Sequence, residues 1–353
     1  MISNGFLDGA CIKHFYFESV MDSVTLFLAT AKPGKMLFVE GPHNVGKKTA
    51  VQRALRPFAN DLLDLDPDND QIMPVISFSA PSLSKPDNYM RSLLNSWTEA
   101  LIPMSANDLL RLALMDREIV DASKEDDRRE NRIKSLLHGR ETKVVLIHYA
   151  ERMSDFNRAK SRSNLCIFEK VQSIAEEAGC VVIFTGTFGT FDKDRIKDKV
   201  IDASDVEDFP AYNFDLVDDY YDWRDLVDQT LDELPASYRT DVKKKMEGQI
   251  IVGSLGCFGR LKDWFQQAEA VKMMPGGSKL SFIDCLQKTA PDLDKLSLLS
   301  NALYRAQFTQ AADADVDIRK VIGLTKASKP KKSKKRAFKR ATKCDPVSPG
   351  DKL

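Results

Sequence analysis

The chain has 353 residues, 43% of them hydrophobic, which is enough to bury a large core together with a smaller second domain. Its six cysteines form no C-x-x-C pair, which argues against a zinc site or a disulfide framework, and no apolar run is long enough to span a membrane. Because the sequence also shows no secretory leader, we expect a cytoplasmic protein without a membrane partner.

Basic and acidic side chains balance at 52 each, but they are unevenly distributed. The segment from Lys326 to Leu353 carries 11 Lys and Arg against 2 Asp and Glu, so the rest of the chain is acidic. This basic tail contains few apolar residues and is predicted to be disordered when free. Its charge favours either the phosphates of a nucleic acid or an acidic partner protein.

Strand and helix patterns alternate along the first two thirds of the chain. Four short apolar runs predict parallel strands, all of which can be central in a sheet: 35–41, 72–80, 143–150 and 179–187. Helical periodicity lies between these runs, in 47–59, 88–101 and 164–179. This order predicts an α/β fold with helices on both faces of a parallel sheet. Beyond residue 214 only helical patterns remain, which predicts a smaller helical domain.

The segment 118–142 is dense in charge and is predicted to form an exposed helix. Alternatively, three of its arginines face phosphates: Arg128, Arg129 and Arg132.

A glycine-rich motif joins the first predicted strand to the first helix. Gly41, Gly46 and Lys47 satisfy G-x-x-x-x-G-K in the strand–loop–helix context in which this motif binds phosphate. The loop N–H groups would cradle phosphates and Lys47 would reach the terminal ones. The alternative is a glycine turn that only joins the two elements. Where a hydroxyl residue should ligate magnesium, Lys48 stands instead, and Thr49 follows it.

An ATPase also needs acids at the end of a second strand, to hold magnesium and to activate the attacking water. The third predicted strand ends in His148 and Tyr149, and the nearest acid is Glu151. Magnesium prefers oxygen ligands, so these two residues replace carboxylates poorly. We interpret them as structural residues that close a strand, and expect hydrolysis to be weak or lost.

Three segments resemble the AAA+ target-selection ATPases of heteromeric transposons, the TnsC/TniB/MuB type, with TnsC most similar. They are FVEGPHNVGKKT (38–49), VVIFTGTFGTFD (181–192) with the DVEDFPAYNF segment after it, and GSLGCFGRLKDWFQQA (253–268). The third is the most specific, and together they span roughly residues 30 to 270. The resemblance implies an N-terminal segment at 1–30, an AAA+ α/β domain at 31–212, a helical lid at 213–310 and a basic tail at 311–353.

The same resemblance implies roles for individual residues. It places the following around ATP: Gly41, Gly46, Lys47, Lys48 and Thr49, with Thr49 also the candidate ligand of Mg²⁺. It implies Thr185 or Thr187 at the end of the first sensor strand, Lys262 as the second sensor and Arg195 as an inter-subunit finger. Ala211 stands where the family has an arginine in F-P-R-Y, so this trans-acting position departs from the pattern as well.

Members of this family assemble, with ATP bound, as rings or helical filaments on duplex DNA, and they connect a target-selector protein to transposase subunits. The resemblance therefore implies a homo-oligomer with these partners. Candidate DNA contacts are Arg128, Arg129, Arg132, Lys193, Lys197 and Lys199, and the tail resembles the segment by which members engage transposase or DNA.

Three hypotheses follow. The first is a nucleotide-binding adaptor that marks target DNA and hydrolyses ATP weakly or not at all. The second is a working ATPase in which Glu151 or another acid replaces the missing pair and Thr49 ligates the metal. The third is a scaffold that binds no nucleotide.

Overall fold

The structure, a computed structural model, describes residues 12–64, 72–82, 89–102, 122–159, 167–191, 198–239 and 242–308. Within these ranges a sheet of five strands has the order β2-β3-β4-β1-β5, and every neighbouring pair is parallel. The strands are β1 (Met36–Glu40), β2 (Val75–Ser79), β3 (Val144–His148), β4 (Val181–Gly186) and β5 (Ser204–Asp208). The carboxyl ends of β1, β3 and β4 therefore meet in the middle of the sheet, the usual place for a ligand in an open α/β sheet.

Helices cover both faces of the sheet. Alternate strand residues point to opposite faces, so Leu37 and Val39 join one apolar core while Phe38 joins the other. The first face carries α1 (Phe15–Thr30) and α2 (Lys47–Leu63). The second carries α3 (Tyr89–Leu101), α4 (Ala122–Gly139), α5 (Glu151–Ala159), α6 (Ile167–Ala178) and α7 (Asp198–Asp202). The predicted α/β class, with helices on both faces, is confirmed.

The two edge strands differ from the sequence expectation. The apolar run at 72–80 is compatible with a central strand, but β2 lies at one edge of the sheet, where only two of its five residues are buried. β5 lies at the other edge and was not predicted, because SDVED contains one apolar residue, Val206, which is 42% exposed. An edge strand is held mainly by its backbone ladder, so apolar periodicity is a weak signal for it.

The charge-dense segment forms α4, as a helix was predicted there, but this helix is half-buried rather than exposed. Ile133 and Leu137 are fully buried at i, i+4 spacing. Glu130 is also buried, and its Oε1 lies 2.6 Å from Nζ of Lys170. The apolar stripe of this helix is narrow, so the many charged residues around it made the whole segment look exposed in the sequence.

After β5 the regular secondary structure of the described residues is entirely helical. The helices are α8 (Val217–Asp232), α9 (Ala236–Arg239), α10 (Val242–Ser254), α11 (Phe258–Met273), α12 (Phe282–Lys288) and α13 (Leu293–Phe308), with a 3₁₀ turn at Gly277–Lys279. Their core includes Trp223, Phe265 and Trp264, whose Nε1 donates to the carbonyl of Leu286 over 3.0 Å. This core is continuous with that of α1 and α2. No helix in the described ranges is long and apolar enough to cross a membrane.

Candidate functional site

The loop between β1 and α2 has the backbone geometry of a phosphate cradle. Gly46, the N-cap of α2, has φ 110°, and Asn44 has φ 65°, both in the left-handed region that favours glycine and asparagine. A Cβ at Gly41 would overlap the carbonyl oxygen of Phe209, so the loop requires glycine there. No side chain caps the N-terminus of α2, which leaves its first N–H groups available to an anion.

Lys47 folds back over this loop. Its Nζ donates to the carbonyl oxygens of Gly41 (2.8 Å) and Pro42 (2.7 Å). Burial lowers the pKa of Lys47 to about 8, and the neighbouring Glu151 is the largest influence that opposes this shift. The ammonium group therefore remains mostly protonated at neutral pH and sits at the mouth of the loop, where it can reach a phosphate.

A cavity of about 290 Å³ opens beside the loop, at the carboxyl ends of the central strands. Its wall brings together most of the residues that the sequence assigned to a nucleotide and to the second strand end: Gly46, Lys47, Lys48, Thr49, His148, Tyr149, Glu151 and Thr185. The helical region contributes Gly259 and Asp263 from α11. Asn44 Nδ2 donates to Asp263 Oδ2 over 3.1 Å, so the loop is joined directly to α11.

A second cavity of about 270 Å³ lies on the other side of the loop. Gly41 and Thr187 line this cavity, so Thr187 is separated from Thr185. Lys262 lines neither cavity, whereas Arg260 lines the second one, and its Nε is buried without a hydrogen-bond partner among the described residues. Sequence reasoning missed Arg260, although it stands in the same GRLK segment from which Lys262 was selected.

His148 ends β3 as a neutral imidazole. Its Nδ1 lies 2.9 Å from Oγ1 of Thr185, and its Nε2 is buried with no partner in the described part of the chain. Burial lowers the pKa of His148 to about 4, and the charge of Lys48 adds to the shift. Tyr149 follows with φ 58°, its half-exposed ring beneath the guanidinium of Arg152 at 4.5 Å. This strand end therefore places no negative charge in the cavity.

The lowered pKa of His148 predicts a pH dependence. The unfolded histidine, with pKa 6.5, takes up a proton before the folded one does, so the associated stability is present above pH 6.5 and is lost as the pH falls towards 4. We expect the His148 ring signals in NMR to stay unchanged from about pH 8 to about pH 5.5. His148→Gln should reduce the loss of folding stability at acid pH. The reduction should be partial, because burial also lowers the pKa of His14 to about 4, and His14 remains in the variant.

His138→Gln, on the exposed end of α4, is the matched control and should leave the pH profile unchanged. A His148 ring that titrates near pH 6.5 would contradict the neutral, buried strand end.

Glu151 is the acid with the largest electrostatic influence on Lys47. It lies in the first turn of α5, and its Oε2 is buried without a hydrogen-bond partner among the described residues. Its carboxylate shares the cavity with Thr49 and raises the pKa of Lys47 against the effect of burial. The described residues contain no group of three or more His, Cys, Asp or Glu that could hold a metal ion. Magnesium would therefore depend on these two side chains and on the phosphates of a bound nucleotide.

Glu40 connects β1 to the loop after β4. This buried carboxylate accepts hydrogen bonds from the backbone N–H groups of Gly189 (3.0 Å) and Phe191. Burial raises its pKa, whereas these two N–H groups and Lys47 oppose the shift. The loop after β4 is thus held against β1, the strand that leads into the glycine-rich loop.

The described candidates for DNA contact line neither cavity. Arg128 is exposed and Arg132 half-buried on α4, while Arg129 donates through Nη1 to Oδ1 of Asn95. Lys199 is exposed on α7, with its Nζ 3.7 Å from Oε2 of Glu176. Three further candidates lie outside the described residues: Lys193, Arg195 and Lys197. The basic tail also lies outside them.

Comparison with known proteins identifies the fold. No protein-family model matches the chain, and no curated protein matches it. It is similar to ORC2 of Aeropyrum pernix, solved in ADPNP-ADP complexes, with 11% identity and a TM-score of 0.52 over 83% of this chain and 73% of that one. It is also similar to Cdc6p of Pyrobaculum aerophilum, with 11% identity and a TM-score of 0.44 over 74% of this chain and 63% of that one. The chain has the α/β fold of the AAA+ ATPases, with a parallel-sheet core followed by helices.

Proposed function

We propose that this chain is an AAA+ protein that binds ATP, assembles as an oligomer on duplex DNA and hydrolyses ATP weakly or not at all. The observation that carries the proposal is the geometry of the loop between β1 and α2. No side chain caps the N-terminus of α2, and Lys47 donates to a carbonyl of this loop. The loop lines a cavity whose wall also contains the neutral His148. The loop supplies N–H donors and one cation for phosphates. The strand end lacks the carboxylate pair that efficient hydrolysis needs.

The finer proposal is that the protein regulates DNA transposition. It would connect a target-selector protein to transposase subunits, as the similarity of segment 253–268 to the TnsC-type lid suggests. In this proposal the oligomer is a ring or a helical filament. The DNA is held through its phosphates, so binding should depend strongly on salt and little on sequence. Weak hydrolysis would leave disassembly to a partner protein.

The test measures DNA binding and phosphate release on one sample, with and without ATP and magnesium. We expect ATP-dependent binding to duplex DNA with little phosphate release, together with a higher melting temperature in ATP, because a ligand of the native state stabilises it. DNA binding and a melting temperature that are both indifferent to ATP would contradict nucleotide binding and favour a scaffold that binds no nucleotide.

A second candidate function is a working ATPase, and Glu151 favours it, because its buried Oε2 has no hydrogen-bond partner among the residues that the structure describes. In this reading Glu151 polarises the attacking water and Thr49 contributes an oxygen to magnesium. Phosphate release that is stimulated by DNA and lost in Glu151→Gln would support this function. Glu99→Gln, an exposed acid on α3, should leave the release unchanged. Absence of release in the wild type as well would exclude this candidate.

A further inference from the structure

The exposed side of α8 combines acids with apolar groups. Asp218, Tyr221, Asp222 and Asp225 share one side of the helix, at i, i+3, i+4 and i+7 spacing. We call this side, together with Leu216 and Val217 at the start of the helix, the acidic α8 face. The opposite side is anchored in the core by Trp223, Leu226, Val227 and Leu231.

The apolar members of the acidic α8 face are exposed to solvent. Leu216 is 53% exposed, Val217 68% and Tyr221 56%. Each of these side chains could therefore bury substantial apolar area against a partner. Three such side chains at one helix end are unusual on a surface that faces only water. The apolar area extends towards α1 through Tyr16, whose hydroxyl donates to Asp219 Oδ1 over 2.8 Å and whose ring lies 5.3 Å from the exposed ring of Phe15.

The charges of this face are not neutralised by their surroundings. Residues 215–233 contain eight Asp and Glu and a single basic residue, Arg224, whose Nε lies 3.8 Å from Oε1 of Glu247. Within the described part of the chain no Lys or Arg forms an ion pair with Asp218, Asp222 or Asp225. Burial raises the pKa of Asp222, and the like charges of Asp219, Asp225 and Asp218 add to the shift. The face therefore favours a cationic partner and repels DNA.

We propose that the acidic α8 face binds the basic tail of its own chain, with the tail's aromatic residue against Leu216, Val217 and Tyr221. The sequence RAFKR places Phe338 among three cations, Arg336, Lys339 and Arg340, so the tail combines an aromatic residue with basic neighbours, as the face combines apolar groups with acids. Such a segment matches both properties of the surface, because aromatic groups bury area while Lys and Arg pair with carboxylates.

The length of the intervening chain permits this contact. The described residues end at Phe308 in α13, and 17 residues separate it from Lys326. An extended segment of that length spans up to about 60 Å. A folded chain of this size has a radius of gyration of about 20 Å. Phe338 follows Phe308 by 30 positions, about 100 Å of extended chain, so it can reach α8 from any point on the surface.

Docking of the tail would be a regulatory contact. The same cations cannot neutralise the phosphates of DNA while they pair with the α8 acids. Surface ion pairs weaken with salt, so the docked form should lose population as ionic strength rises. The contact does not require nucleotide, and the proposal is therefore independent of the proposed ATP-binding function.

The test places the photo-crosslinker p-benzoylphenylalanine at Phe338 of the full chain and maps its adducts by mass spectrometry. We expect adducts concentrated in residues 215–225. The triple substitution Asp218→Asn, Asp222→Asn, Asp225→Asn should lower their yield about fivefold, consistent with the loss of three surface ion pairs. Raising the salt to about 0.5 M should lower it as well.

A matched triple substitution changes exposed acids elsewhere, Asp61→Asn, Asp64→Asn and Asp294→Asn, and should leave the yield unchanged. Mixing heavy-isotope and light chains identifies the origin of each adduct, and we expect only same-chain pairs. Adducts spread evenly over the surface, adducts between different chains only, or equal sensitivity to both triple substitutions would each overturn the proposal. Circular dichroism of both variants excludes unfolding as the cause.

Discussion

Lys47→Ala is expected to abolish the stabilisation of the protein by ATP. The ammonium group lines the cavity and is held at the phosphate loop by hydrogen bonds to the carbonyl oxygens of Gly41 and Pro42. In the complex this ammonium would donate to a phosphate oxygen, and because a hydrogen bond to a charged group contributes about 1.5–3 kcal/mol, its loss should weaken ATP binding about 10- to 100-fold. The rise in melting temperature that saturating ATP gives the wild type should then disappear.

Lys32→Ala, which removes an exposed lysine before β1, is the control and should keep the ATP-dependent shift. Direct titration with a fluorescent ATP analogue separates lost binding from lost stability, because Lys47→Ala also leaves two loop carbonyls without their donor. An unchanged affinity in Lys47→Ala would mean that ATP binds without this lysine, and that the loop between β1 and α2 is a turn and not the phosphate site.

The centre of the fold and the phosphate loop could be predicted from the sequence because their signals are local. β1, β3 and β4 are buried on both faces and appear as continuous apolar runs. The glycines at 41 and 46 occupy positions that a Cβ or a positive φ makes unfavourable for other residues. The G-x-x-x-x-G-K motif, read together with the strand before it and the helix after it, was therefore enough to predict the wall of the cavity that the loop forms.

The other walls could not be predicted because they come from distant parts of the chain. Gly259 and Asp263 follow the phosphate loop by more than 200 residues, and only the packing of α11 brings them to it. Glu40 offers another example, since a carboxylate inside a buried strand indicates a partner without identifying it. Its partners are backbone N–H groups of the loop after β4, which leave no trace in residue type.

The same reasoning explains why Arg260 was missed and Lys262 was selected. On α11 these residues are two positions apart, so their side chains point about 200° from each other around the helix. Residue type favours both equally, because each is a cation near the start of the helix. The rotation of α11 about its axis decides between them, and this rotation depends on Trp264 and Phe265 in the core.

Gly259→Ala is expected to separate α11 from the phosphate loop. A Cβ at this position would overlap the backbone carbonyl of Asn44, which cannot move without disturbing the loop, and the hydrogen bond from Asn44 to Asp263 would open with it. Overpacking of this kind costs about 1–3 kcal/mol, which corresponds to a melting temperature lower by several degrees. Because the clash lies at the cavity wall, the affinity for ATP should fall about tenfold or more.

Two other glycines of the helical region show whether this effect is specific. Gly253→Ala would overlap the ring of Trp264 inside the core, so it should lower stability with little change in ATP affinity. Gly248→Ala meets no atom within 4 Å on the exposed side of α10, and should raise stability by about 0.5–1 kcal/mol. If Gly259→Ala and Gly253→Ala lower ATP affinity equally, general loss of stability explains both. If only Gly259→Ala does so, the contact between α11 and the phosphate loop forms part of the nucleotide site.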